Sequence, residues 1–60
     1  MHFAIVEDLV MDQKHLIRLI QENLEKYHET ADFDCFENGE DFLAHFRPGL
    51  YHAVFIFHTK

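Results

Sequence analysis

The sequence contains little cysteine, few basic residues and no long apolar run. One of its 60 residues is cysteine, and five Lys or Arg stand against eleven Asp or Glu, for a formal net charge of −6. A lone Cys35 excludes an internal disulfide, whereas small secreted domains carry several cysteines, so we expect a reducing, cytoplasmic setting. With so few cations there is no basic patch for a phosphate backbone, and we expect no direct nucleic-acid binding.

The apolar runs are short. The longest, Ala53 to Phe57, is far below the roughly 20 residues that cross a bilayer. The first, Phe3 to Val6, runs straight into two acids and lacks the basic start of a signal peptide. We therefore expect neither a membrane span nor an export signal. Hydrophobic residues still make up 48% of the chain, which indicates one small globular domain over residues 1–60, of limited stability.

Apolar periodicity divides the chain into five elements. The continuous run Phe3–Val6 predicts a strand covered on both faces. A helix is predicted from about Met11 to His28, because apolar side chains recur there at three- and four-residue spacing. These side chains are Leu16, Ile17, Ile20, Leu24 and Tyr27. Ala31, Phe33 and Cys35 then alternate with Asp32 and Asp34, which predicts a half-exposed edge strand.

The remaining residues predict a short helix and a central strand. Asn38 is suited to cap a helix that Pro48–Gly49 ends, and Ala53–Phe57 is again continuously apolar. Strands that alternate with helices indicate an α/β fold with a parallel sheet and right-handed crossovers.

Two adjacent acids follow the first strand. Ligands of open α/β sheets bind beyond the carboxyl ends of the strands, which is where Glu7 and Asp8 are expected. Mg²⁺ accepts one or two protein carboxylates together with water and phosphate oxygens. The alternative is that the two acids only end a strand and face solvent.

Four segments, "MHFAIVED", "HLIRLIQENLEKY", "DCFENGEDFLAHF" and "YHAVFIF", occur in the order and spacing of a known family. Together they resemble the first half of the receiver domain of two-component response regulators, most of all receivers joined to LytTR-type DNA-binding domains. The resemblance covers the whole chain. It implies half of a flavodoxin-like fold with strand order 2-1-3, and it implies that Glu7 and Asp8 match the acids that help to hold Mg²⁺.

The resemblance also implies a missing phosphate acceptor. In the family an aspartate that ends the third strand accepts a phosphoryl group from a histidine kinase, and alignment on Tyr51 puts Phe57 at that position. A one-residue bulge that brings His58 into the pocket is an alternative. Thr59 and Lys60 have residue types that the family uses, but they cannot be equated with its later positions. With two carboxylates left, we expect Mg²⁺ to bind weakly, if at all, and no other cofactor.

The six histidines do not form a recognisable metal motif. No two of them have the three- to four-residue spacing that places two ligands on one helix face, and Cys35 has no CxxC partner. Surface histidines are the expected interpretation.

These observations predict a truncated receiver that cannot accept a phosphoryl group, is not an enzyme and acts through protein association. The partners expected are a second copy, a histidine kinase or an intact response regulator.

The alternative is a fragment of a phosphotransfer receiver that controls a LytTR-type transcriptional regulator. A further possibility is a chain that has no selected function and folds only by pairing with itself. The third strand would form a bare edge, so we expect a homodimer through Val54, Phe55, Ile56 and Phe57, with one six-stranded sheet.

Overall fold

Strands and helices alternate along the chain in the computed structural model, which describes residues 1–57. The elements are β1 (His2–Val6), α1 (Val10–Glu25), β2 (Asp32–Phe36), α2 (Gly39–His45) and β3 (Ala53–Ile56). The strands form one parallel sheet in the order β2-β1-β3. This is the predicted α/β arrangement, half of a flavodoxin-like fold, and that prediction is confirmed.

β1 is the centre of the molecule because it pairs with both other strands and is covered on both faces. Ala4 and Ile5 have no exposed surface. On the α2 side, Ala4 and Val6 pack with Phe36 and Phe42. On the opposite side, Phe3 contacts Phe33 and Phe55, each ring edge-on with centroids 5.7 Å apart. The continuous apolar run is what a strand buried on two faces requires.

α1 is shorter at its end than the periodicity predicts. It begins at Val10 and ends at Glu25, whereas the apolar pattern extends to His28. The N–H of Glu29 donates to the Leu24 carbonyl at 3.1 Å, and His28 has φ 57°, a left-handed conformation that closes the last turn of a helix. Tyr27 lies in that turn and is exposed, so its predicted place on the buried helix face is wrong.

α2 begins as predicted. Asn38 Oδ1 accepts a hydrogen bond from the Asp41 N–H at 2.8 Å, which satisfies one of the free donors of the first turn. Phe42 is the buried residue of this helix and meets Phe36 edge-on, with centroids 5.6 Å apart. α2 therefore covers the Ala4 side of the sheet.

Four strand details differ from the predictions. β1 begins one residue earlier, at His2, and β3 ends one residue earlier, at Ile56, so that Phe57 follows the strand. Cys35 is exposed although the alternation of β2 placed it on the covered face, because α1 leaves that part of the edge strand open. Asp34, predicted to face water, is half-buried on the α2 side.

Candidate functional site

The carboxyl ends of the three strands meet at one edge of the sheet. The Glu7 N–H donates to the Phe36 carbonyl at 2.9 Å, and the Phe57 N–H donates to the Val6 carbonyl at 3.1 Å. These two bonds hold the chain after β1 between the ends of β2 and β3. Glu7 and Phe57 are thus neighbours, as the parallel order requires.

The Glu7 and Asp8 side chains are hydrogen-bonded to each other. Glu7 is buried, with 2% of its surface exposed, and its Oε2 also accepts from the Leu9 N–H at 3.4 Å. The bond to the Asp8 carboxyl and, second, burial raise the pKa of Glu7 above its ordinary value. Two carboxyl groups this close favour sharing a proton, and a cation that binds them competes with that proton.

The acids are too few for a firm metal site. Among residues 1–57 no group of three His, Cys, Asp or Glu side chains is placed to hold a metal ion. Mg²⁺ can be bound through one or two carboxylates when water and phosphate oxygens complete the octahedron. Glu7 and Asp8 fit that minimal role: they would hold the cation, and the cation would neutralise the charge of a bound phosphate.

Phe57 lies where the resemblance places the phosphate acceptor. Its side chain is 40% exposed and presents no oxygen or nitrogen. A benzyl group can neither attack phosphorus nor bind a cation through oxygen. The alternative nucleophile, His58, lies outside the described residues, as do Thr59 and Lys60.

Gln13 is a part of this edge that the sequence interpretation missed. It is the buried residue of α1, and its Nε2 donates to the Glu7 carbonyl at 2.7 Å and to the Phe36 carbonyl at 3.5 Å. The amide therefore ties α1 to the ends of β1 and β2. Gln13 lies one helical turn before Leu16 and Ile17, so it belongs to the apolar face of α1 although it is polar. That spacing is the sequence signal that could have predicted its burial.

The predicted association surface lies along β3. Val54 and Ile56 point to the α2 face beside Ala4 and Val6, and 37% and 61% of their surfaces are exposed. Phe55 points to the α1 face, where it is half-buried against Phe3. β3 pairs with β1 on one side only, so its other side is an open edge in the part of the chain that is described.

A second polar cluster occupies the opposite, amino-terminal end of the sheet. Asp34 Oδ2 accepts from the Tyr51 hydroxyl at 2.8 Å and contacts His2 Nε2 at 2.9 Å. The His2 N–H donates to His52 Nδ1 at 2.9 Å, and the rings of His2 and Tyr51 lie 4.7 Å apart. Burial, and then the hydrogen bond to Asp34, raise the pKa of Tyr51, which keeps its hydroxyl protonated as a donor. Sequence spacing alone did not indicate this cluster.

An open apolar groove of about 310 Å³ runs between α1 and β3. Its lining consists of Phe3, Leu19, Ile20, Asn23, Leu24, Tyr27 and Phe55. Apart from Asn23 and the Tyr27 hydroxyl it offers no polar group that could orient a ligand.

No protein-family model, no curated protein and no solved structure matches this chain. Neither of the helices within residues 1–57 has the length and apolar character that crossing a membrane demands.

Proposed function

We propose that this chain is a degenerate receiver-like module of two-component signalling that accepts no phosphoryl group and works by protein association. Its first partner is a second copy, joined through β3; a histidine kinase or an intact response regulator is the partner such a module would influence. The proposal combines the sequence resemblance with the arrangement of the two ends and the two edges of the sheet.

One observation carries the proposal. At the carboxyl edge, the acids Glu7 and Asp8 are kept, and the position beside them is occupied by Phe57, whose N–H is bonded to Val6. The acids could still attract a cation, but the side chain next to them cannot form an acyl phosphate. Retained acids beside a residue that cannot be phosphorylated support a module that binds the partners of a receiver without phosphotransfer.

The exposed side chains of β3 support association. Val54 and Ile56 present apolar surface beside unpaired backbone groups, which is a template for pairing with another chain. A chain of this size has only a few kcal/mol of stability of its own, so burial of such an edge stabilises it substantially.

Phosphotransfer is tested by intact mass spectrometry after incubation with acetyl phosphate, phosphoramidate and a phosphorylated histidine kinase. We expect the mass of the unmodified chain in each case. A gain of one phosphoryl group that mild acyl-phosphate hydrolysis removes would overturn the proposal. The Phe57→Asp variant is the matched comparison, and we expect it to regain at most partial labelling.

Cation binding is tested by NMR titration with Mg²⁺. We expect only small, unsaturated shifts for Glu7 and Asp8 at millimolar concentration, because two carboxylates supply a minimal ligand set. Saturation at low concentration would contradict the expectation of a weak site. The double variant Glu7→Gln/Asp8→Asn is the control for nonspecific effects.

Light scattering at micromolar concentration tests association directly. We expect the mass of a dimer, and dilution should lower the dimer fraction and the thermal midpoint together. A folded monomer over the whole concentration range would refute the association part of the proposal.

The groove between α1 and β3 favours a second candidate function. An uncovered apolar surface of this kind suits a larger fold in which further elements pack on it, as in a phosphotransfer receiver that controls a LytTR-type regulator. A kinase assay separates the two candidates. The phosphotransfer receiver requires that a histidine kinase transfer a phosphoryl group to a protein that contains this chain, whereas the association module requires no transfer.

A further inference from the structure

The hydrogen-bonding directions along β3 restrict how a second copy can pair with it. The N–H of Phe57, directly after β3, donates to the Val6 carbonyl at 3.1 Å, and β3 runs parallel to β1 with Val6 beside Ile56. In a strand the backbone groups of successive residues point to opposite sides. Ala53 and Phe55 therefore direct their N–H and C=O groups to β1, as the Phe57 N–H does, while Val54 and Ile56 direct theirs to the open edge.

Resting on the proposed association through β3, we infer that two copies pair antiparallel with the two-fold axis at Phe55. In this register Phe55 lies opposite Phe55 of the second copy, and Val54 lies opposite Ile56 of the second copy. The axis is perpendicular to the sheet, so the α2 faces of both copies are on the same side. One continuous six-stranded sheet results.

The charge at the strand ends favours the antiparallel direction. Glu7 and Asp8 lie at the carboxyl end of the sheet in a chain that already carries a net charge of −6. Parallel pairing would bring the two acidic ends together, and like charges placed close together destabilise an interface. Antiparallel pairing instead puts each acidic end on the side of the second copy's amino-terminal strand ends, where His52 of the second copy is about two strand spacings, or roughly 10 Å, away.

The apolar side chains select among the antiparallel registers. Only registers that place outward-facing residues opposite each other form hydrogen bonds, so the axis falls at Val54, Phe55 or Ile56. An axis at Val54 sets the exposed Ile56 against His52 of the second copy. The axis at Phe55 instead matches Val54 with Ile56 twice and sets two phenylalanine rings together on the α1 face, a favourable cross-strand pair.

The backbone disfavours the other two registers. An axis at Val54 would pair Ile56 with His52 of the second copy, but the His52 N–H already donates to the His2 carbonyl at 2.8 Å. An axis at Ile56 leaves the outward N–H and C=O groups of Val54 without a partner within β3. The axis at Phe55 pairs both groups of Val54 with both groups of Ile56 of the second copy, twice, so no outward-facing group of these two residues is left unsatisfied.

Disulfide trapping with two single variants tests the register. Val54→Cys and Ile56→Cys are made separately in a Cys35→Ser background, mixed in equal amounts, oxidised in a glutathione buffer, and analysed by intact mass. Both positions are exposed, so neither change opens the core. Residues directly opposite each other in a hydrogen-bonded pair lie about 5.5 Å apart at Cα, within disulfide range, whereas diagonal ones lie about 7–8 Å apart, beyond it.

We expect the mixed Val54→Cys/Ile56→Cys disulfide to exceed either homodisulfide by roughly tenfold, a preference of about 1.4 kcal/mol. A dominant homodisulfide of either variant would overturn the inference by placing the axis at that residue. Random pairing, or a dimer in light scattering without any disulfide, would overturn it too. A folded monomer under reducing conditions would instead refute the association that was proposed first, so the two failures are distinguishable.

Discussion

The two edge strands of the sheet, β2 and β3, differ in charge and in exposed apolar surface. β2 carries Asp32 and Asp34 and is tied to the chain before β1 by the Asp32 N–H, which donates to the Met1 carbonyl at 2.8 Å. β3 carries no charged side chain, and Val54 and Ile56 are exposed. Charged side chains on an edge are a known protection against pairing with another chain. The comparison indicates that β2 is an outer boundary and β3 a surface built to be covered.

The protection of β2 is more than surface charge. The Asp34 carboxylate is hydrogen-bonded to both Tyr51 and His2. This acid of β2 therefore connects the strand to β1 and to the segment before β3. Asp32 is exposed, and its side chain makes no such link within residues 1–57. The two acids of β2 are therefore expected to respond differently to mutation, although the sequence pattern treats them alike.

Proline substitution gives the largest expected contrast between the edges. Phe55→Pro removes an N–H that faces β1, together with the ring that packs on Phe3, and should cost about 3 kcal/mol or more, enough to unfold a chain this small. Cys35→Pro in β2 removes an N–H that faces solvent, which edge strands tolerate, so it should cost about 1 kcal/mol or less. Urea unfolding followed by circular dichroism measures both. Equal losses would mean that the two edges are not distinct.

Charge substitution should separate the edges next. Ile56→Lys places a cation in the apolar contact of each copy and should weaken the dimer by about 2–3 kcal/mol, or roughly a hundredfold in Kd. The matched control Asp32→Lys changes an exposed edge residue and should leave the dimer intact. Analytical ultracentrifugation over a dilution series decides it, and a dimer that survives Ile56→Lys would place the interface elsewhere.

Loss of the Asp34 cluster should have a smaller effect. Asp34→Ala leaves the Tyr51 hydroxyl without its acceptor, and we expect a loss of about 1 kcal/mol, reduced from the value of a buried bond because the Asp34 side chain is 45% exposed. Tyr51→Phe should cost a similar amount, and the double variant should cost little more than either single change. Additive losses in this double-mutant cycle would show that the two side chains are uncoupled.

The smallest expected effect concerns Glu7 and pH. Because the pKa of Glu7 is raised in the fold, the folded chain holds that proton more tightly than the unfolded chain does. The stability this contributes is complete below the ordinary value of about 4.3 and is lost as the pH rises through the raised value. Glu7→Gln, which cannot lose a proton, should therefore become more stable than the original chain as the pH rises from about 4 to 7.

Thermal midpoints of both proteins across that range check the expectation. Asp8→Asn is the companion variant, since removing the neighbouring acid should lower the pKa of Glu7 and flatten the same dependence. An unchanged difference between the original chain and Glu7→Gln at all pH values would contradict the shared-proton arrangement.

Local patterns were sufficient to predict the element order, the parallel sheet and the acids at the end of β1. Helix and strand periods differ, Asn38 supplies a recognisable cap, and the handedness of crossovers leaves few arrangements for alternating strands and helices. The end of α1 was missed because the left-handed His28 breaks the helix without a glycine or proline to mark it. The apolar spacing continues past the end of α1, because Tyr27 lies three residues after Leu24.

Only the tertiary structure decided which polar side chains became partners. His2 and Asp34 are 32 residues apart and Tyr51 is a further 17 from Asp34, so their contact depends on the register of three strands. Gln13 is buried because the ends of β1 and β2 present two carbonyls to one turn of α1. The sequence determines hydrophobic patterns residue by residue, whereas a hydrogen bond between distant residues exists only once packing has set both positions to within a fraction of an ångström.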